Sequence, residues 1–342
     1  MLNRNKAIVL SSLLLASSFA TAYAADEEVN LYSARKEQLI KPLLDKFTEQ
    51  TSIKVNLVTG KADALLKRLT SEGANSPADL LITTDAGRLH RAKVADVLQS
   101  VKSDALDTAI PEHLRDPDGL WYGLSLRARP ILYVKGQVDP SELSTYEALS
   151  DPKWKKRICI RSSGNIYNQS LVASMLATND KDDVETWAKG FVANFAQPPK
   201  GGDRDQIKAA AAGICDIAIA NTYYYGGMLK SKDKAQVKAA EKMAIFWPNQ
   251  DDRGTHVNVS GIAMTKAAKN ADNAKQLMEF LANETSQAWY AQANDEFPVR
   301  EGVAWSDSLK QWGEFKADAL SLDKLGENNA DAVRLMDRAG WK

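Results

Sequence analysis

Cysteine is nearly absent from this chain: two residues, Cys159 and Cys215, in 342. With no CxxC pair and no Cys/His cluster, nothing suggests a zinc site. Histidine is almost as scarce, at three residues: His90, His113 and His256. Net charge is missing too. The 44 basic side chains match the 44 acidic ones, which gives no support to nucleic-acid binding by bulk charge. Beyond the first twenty or so residues no long apolar run occurs, so no transmembrane helix is expected. There is no EF-hand calcium loop, no GxSxG elbow and no phosphate-cradling GxxxxGK[ST]. These absences argue against the common hydrolase and nucleotide-binding designs. Internal repeats and low-complexity segments are absent as well.

What is present begins with "MLNRNKAIVLSSLLLASSFATAYAADEE". A basic start at Arg4 and Lys6, an apolar stretch to about Ala20 and the small-x-small Ala22-Tyr23-Ala24 describe a cleaved secretory leader over residues 1–24. No lipobox cysteine lies near the cleavage site. The remaining chain, roughly 320 residues, has room for two domains of ordinary size. Its composition, 44% hydrophobic and 26% charged, is that of a globular protein. In an oxidising, exported setting two cysteines are most simply one disulfide, with two buried free thiols as the alternative.

The mature chain alternates short apolar runs with amphipathic stretches. Strands are predicted at 29–33, 53–59 and 78–84, with helices at 39–51, 62–73 and 87–98 between and after them. Gly73 is the expected C-terminal cap of its helix. This βαβαβ start predicts an α/β fold with mostly parallel strands. "GLWYGLSLRARPILYV" (119–134) reads as two extended segments joined near Arg127. A second α/β unit follows, with strands at 157–160, 215–221, 243–248 and 257–265 and helices at 167–177, 185–195 and 205–213. Beyond about 266 the pattern is almost wholly helical, including "SLKQWGEF" (308–315). Two α/β lobes with a helical tail suggest an exported binding protein. Its ligand would lie beyond the carboxyl ends of the strands.

Three post-strand loops then stand out: "SAR" (33–35), "RSSGNIYN" (161–168) and "NTYYYGG" (221–227). Read alone, Tyr223, Tyr224 and Tyr225 are most simply an aromatic cluster. The alternative is a site for a hard cation, because phenolate oxygen suits ferric iron once the metal displaces the phenol proton. Inside a regular helix adjacent tyrosines would diverge by about 100 degrees, so a convergent pair is expected at an irregular strand-to-helix junction. Asn221 and Thr222 would cap that junction, and Gly226 and Gly227 would permit close approach. Tyr167 occupies a comparable loop. Three phenolates would leave an octahedral shell half filled, and an anion completing it would want arginine, which grips two oxygens. Arg35, Arg127 and Arg129 are the candidates. The paired acids of "DRDQ" (203–206) read as a solvated helix start.

At these residues the chain resembles the periplasmic ferric-ion-binding proteins that feed bacterial iron ABC transporters. The resemblance runs over nearly all of the mature chain. It is carried by "NLYSARKE", "SPADLLITTD", "WYGLSLRARPILY", "ICIRSSGNIYNQSLVA", "GGDRDQIKA", "GICDIAIANTYYYGGM", "GTHVNVSG" and "NDEFPV". It implies a type II periplasmic binding protein fold with two lobes, crossover hinge strands and a helical C-terminal part. The expected division is residues 25–127 with about 251–300 in the N-terminal lobe, and about 128–250 with 301–342 in the C-terminal lobe. The resemblance also implies Tyr167, Tyr223 and Tyr224 as iron-binding phenolates, with Tyr225 outside the first shell. It implies Arg35 and Arg127 as holders of a synergistic anion such as carbonate, assisted by Asn165 and Ser163. Some relatives carry His-Tyr after the Arg of the first loop, where this chain has Lys36 and Glu37. Lys36 cannot ligate while protonated, and Glu37 is the weaker candidate. The expected site is therefore three tyrosines with Fe3+, completed by carbonate or water. A branch of the family bridges the positions of Cys159 and Cys215.

The resemblance further implies a periplasmic monomer that docks on an inner-membrane ABC permease. It implies no enzymatic activity, no nucleic-acid partner and no stable membrane insertion after leader cleavage. On the same fold, a binding protein for a small organic or anionic solute (sulfate, thiamine, a polyamine) is the competing class. An exported enzyme is a third, without a catalytic constellation to support it.

Overall fold

A computed structural model describes residues 27–342, and the expected leader lies outside the described residues. The chain opens with the predicted alternation: β1 (Glu28–Ser33), α1 (Lys41–Thr51), β2 (Lys54–Thr59), α2 (Ala62–Glu72), β3 (Leu80–Thr84) and α3 (Ala86–Val94). Then come β4 (Leu98–Gln99), α4 (Asp104–Ala109), β5 (Tyr122–Ala128) and β6 (Ile131–Val134). The second unit contains β7 (Ile158–Cys159), α5 (Ile166–Leu176), α6 (Lys181–Ala193), α7 (Asp203–Ala211), β8 (Ile217–Ile219), α8 (Thr222–Leu229), α9 (Lys234–Glu241) and β9 (Met243–Phe246). The last part runs through β10 (Val257–Thr265), α10 (Ala271–Ala282), α11 (Glu284–Asn294), α12 (Asp307–Gln311), α13 (Asp323–Glu327) and α14 (Asn329–Arg338).

Two sheets result. The first has the order β2-β1-β3-β10-β4, with β5 also paired to β10; the second has the order β7-β8-β6-β9. Both are mixed, which corrects the expectation of mostly parallel strands. β1 is parallel to β2 and β3, but β10 runs antiparallel to β3, β4 and β5. In the second sheet only β7 and β8 are parallel. The cause is the way the chain changes sheets. β5 leads to β6, and β9 to β10, without the helical crossover that parallel neighbours need. Arg129-Pro130 makes the first crossing, where proline has no N–H to add to a ladder. Tyr146 pins the two crossings together: its hydroxyl donates to the Arg129 carbonyl at 2.8 Å and accepts from the His256 N–H at 3.2 Å.

Three helical expectations are adjusted. α3 stops at Val94 because Asp96 turns with φ 53°, and Leu98–Gln99 pair with β10 instead. α12 ends at Gln311, ahead of Gly313 at φ 78°. The tyrosine run lies wholly inside α8. Gly73 does follow its helix, with φ 53°.

The core divides with the sheets. Leu31, Ile82, Trp121, Ile262 and Leu281 belong to the first cluster; Ile131, Trp154, Phe191, Ile217 and Trp341 belong to the second. Leu309, Leu322 and Leu325 pack with the first cluster, whereas Ala332, Leu335 and Met336 pack with the second. The change therefore comes between 325 and 332, later than the expected 300. Aromatic packing holds the intervening segment back: Phe315 stacks on Trp247 at 4.1 Å and meets Phe297 edge-on.

Cys159 and Cys215 form a disulfide. It joins the end of β7 to the approach to β8, the two strands whose following loops lead to Tyr167 and Tyr223. No helix among the described residues is long and apolar enough to cross a membrane.

Candidate metal centre

Two short loops after neighbouring strands deliver the tyrosines. After β7, the chain turns through Ser162 to Asn165 and starts α5, placing Tyr167 second in its helix. After β8, Asn221 precedes α8, placing Tyr223 second and Tyr224 third. Helix starts expose free N–H groups and the positive end of the macrodipole, which favours a phenolate over a phenol. The hydroxyls of Tyr223 and Tyr167 lie 3.3 Å apart, and the rings of Tyr223 and Tyr224 have centroids 4.3 Å apart.

This convergence happens inside regular helix, contrary to the expectation of an irregular junction. Side chains lean toward the N-terminal end of a helix. In a first turn there is no preceding turn to separate them, so two long phenols overhang the end together. Tyr225, one step further, turns away and donates to the Met243 carbonyl at 3.1 Å. Neither expected cap is made by a side chain. Asn221 Oδ1 accepts from Arg129 Nη1 at 2.8 Å instead, and Thr222 Oγ1 is buried without a partner.

The tyrosines face a cleft of about 410 Å³ whose walls come from both sheets. Arg35, Arg127, Arg88 and Ser260 line it from the first unit, and Tyr167, Tyr223, Tyr224 and Arg204 from the second. Arg127 lies 5.9 Å from the Tyr167 ring centre and 6.0 Å from that of Tyr223. The structure thus brings together all three expected phenols and both expected anion-holding arginines. Lys36 lines the same cleft, but Glu37 is exposed and lines a separate groove with Lys41 and Thr48, apart from the tyrosines. Asn165 Oδ1 has no partner, and Ser163 uses its backbone carbonyl to accept from Gln169 Nε2.

Behind the tyrosines stands a network the sequence did not disclose. Asp203, buried at the start of α7, accepts from Arg129 Nη1 at 3.0 Å, Arg161 Nη1 at 2.5 Å and the Asn221 N–H at 3.2 Å. The solvated helix start expected of "DRDQ" describes Asp205, which caps the Gly202 N–H, but not Asp203. Arg161 lies 5.8 Å from the Tyr167 ring centre and Arg204 lies 4.9 Å from that of Tyr224. Glu296, from "NDEFPV", is buried against Arg35 at 2.5 Å and Arg127 at 3.8 Å. Arg129, a candidate for the anion, is committed to Asp203, Asn221 and Asn168.

A first-unit group fixes the Tyr167 helix. Asp85 caps α3 from a backbone at φ 81° and accepts from Ser170 Oγ of α5 at 2.7 Å. Burial pushes the Asp85 carboxyl up, against the opposing pull of Ser170 and Arg127.

Burial favours the protonated form of Tyr223 and Tyr224. Burial first, then the neighbouring Tyr167 and Tyr224, raises Tyr223 well above an ordinary phenol. Burial, Tyr167 and Asp203 push Tyr224 up to about 12. Among the described residues no group of three His, Cys, Asp or Glu side chains is placed to hold a metal. The oxygen donors gathered here are phenols, a donor set for a hard, highly charged cation.

Over most of its length the chain is similar to known solute-binding proteins. A family model described as bacterial extracellular solute-binding protein matches residues 43–317. Iron uptake protein A1 of Synechocystis is 51% identical over 98% of this chain and 95% of its own. A Trichodesmium protein solved in complex with iron and citrate ligands superposes with a TM-score of 0.90 at 50% identity, covering 92% of this chain and 100% of that one. The ferric binding protein of Campylobacter jejuni gives a TM-score of 0.86 at 42% identity, with 92% and 100% covered. The chain belongs to the bacterial extracellular solute-binding proteins, with the type II periplasmic binding fold, and within them to the ferric-iron-binding periplasmic proteins. Its class binds solutes and is not enzymatic.

Proposed function

We propose that this protein captures Fe3+ as cargo in the periplasm through the phenolates of Tyr167, Tyr223 and Tyr224 and hands it to an inner-membrane ABC permease. The observation that carries this is the meeting of phenols from α5 and α8 at one cleft, with the Tyr167 and Tyr223 hydroxyls 3.3 Å apart. Relatives named for iron uptake and ferric binding support the choice of metal. The three phenolates cancel the charge of one ferric ion. Arg35 and Arg127 supply cationic donors beside it for carbonate, or else water completes the shell; Asn165 and Ser163 assist from the α5 loop. The chain is exported by its leader and acts as a monomer.

Each residue has a separate task. The phenols bind the cation and lose their protons to solvent as it arrives. The two crossings pinned by Tyr146 let the lobes move about a fixed axis, so closure brings the first-unit arginines onto the metal side of the tyrosines. Opening, protonation of the phenols or reduction of the ion weakens the site, since phenolate favours the more highly charged ferric state.

The test is ferric titration of the mature protein against a competing chelator. The wild type holds iron; the Tyr167→Phe/Tyr223→Phe protein keeps its fold and loses it. Retained high affinity in the double variant would remove the phenols from the site.

A further inference from the structure

Two glycines follow the tyrosines inside α8, although glycine is a poor helix former. The packing gives the first of them a reason. A Cβ at Gly226 would stand 2.5 Å from Asp295 Oδ2, 2.9 Å from Asp295 Cγ and 2.9 Å from Trp312 Cη2. Asp295 ends α11 in the left-handed conformation, at φ 50°. Its carboxylate reaches across to α8, where Lys230 Nζ donates to Oδ1 at 2.6 Å. The Asp295 side chain is 3% exposed and that of Lys230 is 49% exposed. The contact joins the two units. α11 belongs to the first core through Tyr290 and Ala291, whereas α8 packs with Cys159 and Ala218 of the second sheet through Tyr225 and Met228.

Tyr223, Gly226 and Lys230 stand at i, i+3 and i+7, which is one face of a helix. That face meets the first unit along its length. Arg127 lies 6.0 Å from the Tyr223 ring centre, and Asp295 seats between Gly226 and Lys230. The next residue, Glu296, holds Arg35 at 2.5 Å. Residues 295 and 296 therefore grip the phenol-bearing helix with one side chain and an arginine of the cleft with the other.

We infer that Asp295, seated on Gly226 and paired with Lys230, is a clasp that holds the lobes shut over bound iron and sets how fast the ion leaves. This rests on the tyrosine reading of the site. Closing takes the Asp295 carboxylate out of water, and a buried carboxylate is costly without a partner. The Lys230 ammonium offsets that cost in the closed form. Glycine at 226 permits the close approach, and any larger side chain wedges the lobes apart. Asp295 and Lys230 supply no donor to the metal. They are positioning residues, and a weaker grip of this kind shows in the dissociation rate rather than in the donor set.

The experiment follows transfer of iron from loaded mature protein to excess EDTA by the decay of the phenolate-to-iron absorption band. Gly226→Ala and Lys230→Met should begin with the wild-type band and lose iron at least about fivefold faster. In an Asp295→Asn background, Lys230→Met should change the release rate by less than about twofold, because an amide needs no counter-charge. A contact that serves only the fold would lower the denaturant midpoint and leave release unchanged. Release within about twofold of the wild type in both folded variants, or an equal effect of Lys230→Met in both backgrounds, overturns the inference. A band already altered before EDTA is added would place these residues at the metal and overturn it as well. If Gly226→Ala does not fold, Lys230→Met, which changes a half-exposed side chain, decides alone. Absence of the band in the wild type would refute the tyrosine site itself. Small-angle scattering of the iron-free proteins would then still decide the clasp: a larger radius of gyration in Lys230→Met supports it, and equal radii overturn it.

Discussion

The hydroxyl of Tyr223 donates to the hydroxyl of Tyr167 at 3.3 Å, although the two residues stand 56 positions apart. Each is the second residue of its helix, and each helix follows a strand of the same sheet. A parallel pairing of β7 with β8 sets those helix starts side by side. The proposed metal site is thus a consequence of strand register: whatever shifts β7 against β8 separates the phenols.

Removing one phenol should be costly. Tyr167→Phe keeps the ring and its packing and deletes only the donor oxygen. Even outer-shell changes at metal sites cost 10–100-fold, so the loss in ferric affinity should exceed about 100-fold. Chelator competition measures it, with far-UV circular dichroism as the check on folding.

Acid should release the ion. Tyr223 is held well above an ordinary phenol and Tyr224 at about 12, so both are protonated at neutral pH before iron binds. Binding then expels at least these two protons, and affinity rises with pH and falls as pH falls. The expected slope is about 100-fold in affinity for each pH unit below neutrality, tenfold for each of the two protons. Proton release on adding ferric iron to weakly buffered protein gives the count directly.

Reduction of the disulfide should loosen the same register. Cys159 and Cys215 are separated by 56 residues, and a loop of that length stabilises the native chain by about 4 kcal/mol in the chain-entropy account. Cys159→Ser/Cys215→Ser should lower the denaturant midpoint by a corresponding amount and weaken iron binding far less than loss of a phenol does.

Asp203→Asn should unfold the back of the site. The carboxylate is buried against Arg129, Arg161 and the Asn221 N–H. An amide leaves those cations underpaired, at a cost of about 3 kcal/mol. A lowered thermal midpoint, and an iron affinity reduced in the surviving folded fraction, are the expected readings; unchanged stability would show that the network is dispensable.

Periodicity disclosed the early strands and helices because each is an apolar run or stripe bounded by turn residues, as in Leu80–Thr84 and Ala62–Glu72. Tyr167, Tyr223, Tyr224, Arg35 and Arg127 were legible because each stands beside a strand end in a polar or glycine-bearing stretch, and because the surrounding stretches resemble one family. Glu296 was not legible as a partner of Arg35. The pair spans 261 positions, and no local spacing records a contact made only when α11 returns to the first sheet. Asp203 was misread for a related reason: a charged helix start looks solvated unless the buried Arg129 and Arg161 facing it are known. The antiparallel entry of β10 was hidden as well, since strand direction depends on the crossings at Arg129 and His256 rather than on composition.

The most direct measurement is the visible absorption spectrum of the mature protein loaded with ferric iron, beside that of its Tyr224→Phe variant. A phenolate-to-iron charge-transfer band in the wild type, largely lost in a variant with unchanged circular dichroism, is what tyrosine ligation at this cleft predicts. A colourless ferric complex, or a band of full strength in the variant, would contradict it.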